Sequence, residues 1–273
     1  MRIAVIQLAY GDGEGLAART ARVAALVRQQ EGHDLVVLPE LWSAGGFDYR
    51  AWPDRAQRVE GEVIAAMSAA ARDIGAVLHT GSIVEQPGDE PGPEGRGLWN
   101  TSVLLDADGG YVARYRKVHR FGFGGGEPRL LEAGEDVVVA DLPAPADGLR
   151  AGLSICYDLR FPELYRAQVD QGAEIFLVPA AWPAARVEAW RLLLRARAVE
   201  DQCFVVGCGT AGTHAGTRMG GRSAVIDPVG AVLAEAGPDQ EVLSVTIDAG
   251  QVAAVREAFP VLRDRRLWAR RLS

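Results

Sequence analysis

Leu153-Ser-Ile-Cys-Tyr-Asp-Leu-Arg-Phe-Pro-Glu-Leu-Tyr-Arg166 is an apolar run that delivers a cysteine to the point where the chain turns into a helix. Pro162 has the fixed φ that suits a first helical turn, and Glu163 complements the positive end of the helix dipole. Cys156 therefore stands just before a helix, at the carboxyl end of a strand over residues 150–155. Neighbouring NH groups and cations at such a place favour the thiolate, the reactive form of the side chain. A buried, inert cysteine is an equally ordinary outcome. The stretch alone leaves both readings open.

Outward from it, short β-branched runs alternate with helical patterns, the rhythm of a layered α/β protein. The spacing predicts strands over 3–8, 35–38, 76–84, 137–140, 175–178 and 203–207, and helices over 15–30, 61–74 and 187–200. Two hairpins interrupt the alternation. Thr101-Ser-Val-Leu-Leu105 and Tyr111-Val-Ala-Arg-Tyr115 flank the turn Asp106-Ala-Asp-Gly-Gly110, and Ser223-Ala-Val-Ile226 and Ala231-Val-Leu-Ala234 flank Asp227-Pro-Val-Gly230. Hairpins are antiparallel, so the sheets should be mixed, and the repeated plan suggests two related halves packed sheet to sheet. Gly-rich loops are expected over 85–97 and 209–221. A last helix over 249–258 stops before Pro260, and an Arg-rich tail with Trp268 follows.

The 273 residues are 48% hydrophobic and 24% charged with no compositional seam, which favours one domain over 1–273. A net charge of -7 argues against nucleic-acid binding, which needs a basic face. The opening apolar run has no cationic leader and no stretch reaches the ~20 apolar residues that span a bilayer, so the expectation is a cytoplasmic chain without a membrane partner. Three cysteines, 156, 203 and 208, do not make a disulfide framework. Cys203 and Cys208 lie in an apolar run and read as core.

The four histidines are isolated and no metal-ligand spacing occurs, so no metal is expected. Gly122-Phe-Gly-Gly-Gly126 matches neither a phosphate loop nor a dinucleotide fingerprint, and Gly221-Arg-Ser-Ala-Val225 lacks the second glycine of a serine-hydrolase elbow. What remains is a set of ionisable residues where apolar runs end. Glu40 follows Leu35-Val-Val-Leu-Pro39, Lys117 follows Tyr111-Val-Ala-Arg-Tyr-Arg116, and Cys156 is the third. Each has an ordinary explanation by itself: a helix cap, a solvated basic run, a core thiol. If the three strands lie side by side, base, cation and thiol meet in one cleft.

Leu38-Pro-Glu-Leu-Trp42, Tyr115-Arg-Lys-Val-His119 and Ser154-Ile-Cys-Tyr-Asp-Leu-Arg-Phe-Pro-Glu163 resemble, in order and separation, the three signature segments of the nitrilase superfamily, the carbon-nitrogen hydrolases. The resemblance runs from residue 2 to about 266. It implies a four-layer α-β-β-α sandwich with two mixed sheets, a cofactor-free hydrolase, and pairing into a homodimer or higher homo-oligomer, with the tail from about 260 at a subunit interface. It also implies a second glutamate seven residues before a turn. Glu127 stands seven before Gly134 and is preferred, with Glu132 as the competing candidate.

In the mechanism the resemblance implies, Cys156 attacks an amide carbonyl, Lys117 and the backbone NH of Tyr157 hold the oxyanion, Glu40 moves the protons, and Glu127 positions Lys117. The segment from Cys156 to Glu163 is most similar to the ω-amidase branch, which acts on amides of small dicarboxylates. Arg160 would pair with the distal carboxylate or, as a structural ion pair, with Glu163 or a neighbouring segment, and Trp182 and Phe123 would wall the pocket or simply pack. The loop Arg120-Phe-Gly-Phe-Gly-Gly-Gly126 departs from that branch's usual Leu-Phe-Asp pattern. An N-carbamoyl amino acid hydrolase, a deaminated-glutathione type amidase and a nitrilase would use the same residues, and a non-catalytic binding protein would keep the fold without the chemistry.

Overall fold

A computed structural model of the chain describes residues 1–88, 92–146 and 148–266. In chain order its elements are β1 (Arg2–Ala9), α1 (Leu16–Arg28), β2 (Leu35–Val37), α2 (Glu62–Ile74), β3 (Val77–Glu85), β4 (Trp99–Leu105), β5 (Tyr111–Arg116), the short α3 (Glu127–Leu130), β6 (Val139–Asp141) and β7 (Arg150–Leu153). They continue with α4 (Pro162–Asp170), β8 (Ile175–Ala180), α5 (Val187–Asp201), β9 (Phe204–Ala211), the small hairpin β10 (Thr213–His214) and β11 (Thr217–Arg218), β12 (Ala224–Ile226), β13 (Val232–Glu235), β14 (Glu241–Thr246) and α6 (Gly250–Ala258).

β1 shows why the chain layers. Its side chains alternate between two apolar clusters: Ile3 and Val5 pack with Leu153, Leu177 and Val206, while Ala4, Ile6 and Leu8 pack with Val23 and Val27 of α1 and Met67 of α2. A strand buried on both faces needs cover on both sides, which is why its sequence is apolar at successive positions. Helices α1 and α2 cover one side of the first sheet, and the second sheet covers the other. Beyond the second sheet lie α4 and α5, where the rings of Tyr165 and Phe176 meet edge to face at 4.9 Å. The fold is thus α/β with two mixed sheets.

Within the first sheet β1, β2 and β3 are parallel, and β4 and β5 add an antiparallel hairpin. β14 pairs antiparallel with β1 from Arg2↔Thr246 to Gln7↔Glu241. In the second sheet β7, β8 and β9 are parallel, with β6 and the β12–β13 hairpin antiparallel at its two sides. The sheets join at one corner, where Leu8↔Thr210 and Ala9↔Ala211 pair in parallel.

Several expectations are corrected here. β14 was not anticipated, and β9 continues through residues 209–211, which read as loop. The strands bearing the reactive residues do not lie side by side: β2 and β5 are separated by β3 and β4, and β7 belongs to the other sheet. The strand before Cys156 ends at Leu153, and a 3₁₀ turn, Cys156–Arg160, intervenes before α4. Pro162 does open that helix. Trp268, Arg270 and Arg271 lie outside the described residues. Among the described residues, no helix is long and apolar enough to cross a membrane.

Candidate active site

Glu40 lies three residues past β2, in a turn pressed against β3. Gly81 makes the contact possible: its φ is 69°, and a Cβ there would sit 1.9 Å from the carbonyl oxygen of Pro39. Leu41 is also left-handed, at φ 47°, and its NH donates to the Ser82 hydroxyl at 3.0 Å. Non-glycine residues take this conformation only where surroundings impose it. Lys117 leaves β5 directly. Its carbonyl accepts the NH of Gly134 at 2.8 Å, and a Cβ on Gly134 would come 2.0 Å from the Arg116 carbonyl oxygen.

The two sheets bring their loops together in one buried cluster. Lys117 Nζ donates to Glu40 Oε1 at 2.8 Å and to Glu127 Oε1 at 2.9 Å. Asn100 Nδ2 donates to the same two oxygens, at 2.8 and 3.0 Å. Across the sandwich the NH of Ala181, just past β8, donates to Glu40 Oε2 at 2.7 Å. Burial alone would strip the Lys117 proton, but Glu127 and Glu40 outweigh it and hold the ammonium well above its usual range. Burial raises Glu127 above the usual carboxylate range, the charge of Glu40 adds to this, and Lys117 opposes it.

Cys156 has φ 49°, and its Sγ lies 4.0 Å from the carbonyl oxygen of Ala181. The strained backbone turns the thiol out of its own sheet toward the cluster. Burial pushes the thiol well above its usual range, and Glu40 adds to this while Lys117 opposes it. Burial beside Glu40 thus favours the neutral thiol over the thiolate.

The turn after Cys156 is tied to the Lys117 segment by Asp158, which is fully buried. Its carboxylate accepts the Tyr115 hydroxyl at 2.7 Å, the His119 NH at 2.9 Å, His119 Nδ1 at 2.8 Å and the Ile155 NH at 2.9 Å. Reading the sequence identified neither Asp158 nor Asn100. Asn100 had one signal, a carboxamide three places before the apolar run Val103–Leu105 on β4. Glu132 stands apart, accepting the NH groups of residues 94, 96 and 97, so Glu127 is the glutamate beside Lys117. Cys203 and Cys208 are core residues.

A cleft opens over this cluster, lined by Cys156, Tyr157, Arg160, Trp182 and Phe121 among others. Phe123, expected in the wall, is 85% exposed and meets Phe121 edge to face, and Phe121 takes its place in the lining. Arg160 rests over the Trp182 ring at 5.0 Å, and among the described residues it forms no ion pair with Glu163 or any other acid.

The carbon-nitrogen hydrolase family model matches residues 2–257. The chain belongs to this family. This carbon-nitrogen hydrolase is 42% identical over 269 residues to the 2-oxoglutaramate amidase of Paenarthrobacter nicotinovorans, covering 98% of this chain and 90% of that one. It is 31% identical to the omega-amidase NIT2 of Mus musculus, over 97% of this chain and 95% of that one. Its structure is similar to that of XC1258 from Xanthomonas campestris, a CN-hydrolase superfamily protein with an arsenic adduct in the active site, with a TM-score of 0.86, 30% identity, and coverage of 99% and 98%. The carbon-nitrogen hydrolase is therefore an enzyme acting on non-peptide carbon–nitrogen bonds.

Proposed function

We propose that this carbon-nitrogen hydrolase is an ω-amidase-like enzyme that releases ammonia from a small carboxylate-bearing amide through a thioester on Cys156. The observation that carries this reading is the meeting of Cys156 with the Glu40–Lys117–Glu127 cluster beneath Arg160, which among the described residues forms no ion pair. The likeness to amidases of 2-oxoglutaramate supports it and names the substrate class, amides of small dicarboxylates.

Cys156 Sγ forms a bond to the amide carbon as Glu40 takes the thiol proton. The carbonyl electrons move onto oxygen, facing Lys117 and the NH of Tyr157, which lies in the first turn of the 3₁₀ segment and has no intrahelical acceptor. Glu40 passes its proton to nitrogen, the C–N bond breaks, and ammonia leaves. Water then attacks the thioester, giving its proton to Glu40, and the acid departs as the proton returns to sulfur. Glu127 acts through Lys117 as a positioning residue. Arg160 binds the substrate's far carboxylate, for which a guanidinium fork is suited, while Trp182 walls the site.

Denaturing mass spectrometry of enzyme mixed with the monoamide of a five-carbon dicarboxylic acid, or its 2-oxo derivative, should show an acyl adduct on Cys156. Turnover that persists in Cys156→Ala would overturn the scheme. We further propose a single domain, a reducing cytoplasmic setting in keeping with three free cysteines, and a homo-oligomer. Exposed Val199, Val229 and Phe259 border one apolar groove, a surface suited to a second copy.

A further inference from the structure

The cleft mouth holds a second cation. Arg186 ends the 3₁₀ turn Ala184–Arg186 that leads into α5, and it lines the same cleft as Cys156 and Arg160. Its backbone is pinned, because its carbonyl accepts the Trp182 indole NH at 2.8 Å. Its guanidinium lies over the Phe121 ring at 5.2 Å, much as Arg160 lies over Trp182 at 5.0 Å. The rim thus alternates cation and aromatic: Arg160, Trp182, Arg186, Phe121.

Among the described residues neither guanidinium forms a salt bridge, although the chain carries 36 acidic against 29 basic residues and pairs many of its other arginines. Stacking on a ring holds a guanidinium in place while leaving its in-plane NH groups available. Two such groups at the mouth of an otherwise acidic molecule form a local positive field, which attracts anions and orients them.

We propose that Arg186 is a specificity-determining residue, the second of two guanidiniums that hold the carboxylate end of the substrate amide while its other end reaches Cys156. This rests on the reading of the enzyme as an amidase for carboxylate-bearing amides, and it assigns the charge recognition to a pair rather than to Arg160 alone. Arg186 acts on binding and does not touch the reacting atoms.

The test compares the monoamide of a five-carbon dicarboxylic acid with the neutral five-carbon amide, in wild type, Arg186→Ala and Arg186→Lys. Loss of one charged hydrogen bond at a partly solvated site corresponds to about a tenfold change. Arg186→Ala is expected to raise KM for the anionic amide by about tenfold while kcat stays within about twofold. The neutral amide should keep its kcat/KM, and Arg186→Lys should recover part of the loss. The fall of kcat/KM with rising salt should be shallower in Arg186→Ala, for the anionic amide only. An unchanged KM in Arg186→Ala overturns the proposal, as does an equal loss on both amides, which would make Arg186 a prop for Trp182 and Phe121. A wild-type enzyme that does not prefer the anionic amide would instead overturn the underlying reading of the substrate class.

Discussion

Lys117 and Asn100 donate to the same pair of oxygens, Glu40 Oε1 and Glu127 Oε1, all four contacts lying between 2.8 and 3.0 Å. The cluster therefore closes on itself, two donors facing two acceptors, and only one of the donors carries a charge. A donor to an ionised carboxylate favours the ionised form, so the Asn100 hydrogen bond is expected to oppose the upward push of burial on Glu127. Asn100→Ala should raise Glu127 further and move the acid limb of kcat/KM to higher pH, with a stability loss of about 1–3 kcal/mol for the buried hydrogen bonds. Urea denaturation and pH–rate profiles read the two effects separately. An acid limb that stays in place would show that Asn100 only packs.

The charge on Glu40 raises the Cys156 thiol, so removing that charge should lower it. In Glu40→Gln, turnover should fall by about 10²–10⁴ with the loss of the proton carrier. Alkylation of Cys156 by iodoacetamide near neutral pH should nevertheless become faster than in wild type, because more of the sulfur is thiolate. Labelling that slows in step with turnover would contradict the charge argument.

Gly81 and Gly75 make a matched pair for testing the backbone under Glu40. Both are left-handed, at φ 69° and 63°, but a Cβ at Gly75 meets nothing within 4 Å, whereas at Gly81 it collides with Pro39. Gly75→Ala should cost about 1 kcal/mol in stability, the conformational penalty alone, and leave kcat unchanged. Gly81→Ala should displace the Glu40 turn and lower kcat at least about tenfold, since an error of about 1 Å at a reacting group is costly. Equal kinetics in the two variants would mean that the turn absorbs the clash elsewhere.

Burial pushes Asp201 up to about 7, against the pull of Arg166 at 3.1 Å. For an acid whose folded value lies above its unfolded one, the stabilising contribution is complete below the unfolded value, about 3.9, and is lost as pH rises through 7. Asp201→Asn cannot ionise and so escapes that loss. Its Tm relative to wild type should climb between pH 5 and pH 9, by an amount corresponding to at most about 4 kcal/mol. A difference that is flat with pH would show that Arg166 keeps Asp201 charged throughout.

How far the residues spoke for themselves follows from the range of each interaction. Cys156, Glu40 and Lys117 stood out because each is an ionisable group where an apolar run ends, a local pattern. Asn100 and Asp158 had no such pattern. Their meaning lies in partners 27 to 60 and 39 to 43 residues away, and only the packed sheets bring those together. The alternation Leu243, Ser244, Val245 on β14 was present, but Glu241 on the Leu243 face and the exposed Val242 diluted it, and nothing local says that β1 has a free edge for it. The placement of β2, β5 and β7 was misjudged for a related reason: strand neighbours are chosen by crossover connections, which leave no mark in the strands themselves. Phe121 and Phe123 differ only in which side of a Gly-rich loop each occupies.

The corner where Leu8 and Ala9 pair with Thr210 and Ala211 is the sole strand pairing between the sheets among the described residues. Glu40, Lys117 and Glu127 all precede residue 135, and Cys156 arrives on the other sheet. The reactive arrangement is thus a product of reassembly in the sense used for split reporters. A chain divided between residues 135 and 150 would yield two silent pieces, and recovered turnover would register their correct docking at sub-ångström tolerance.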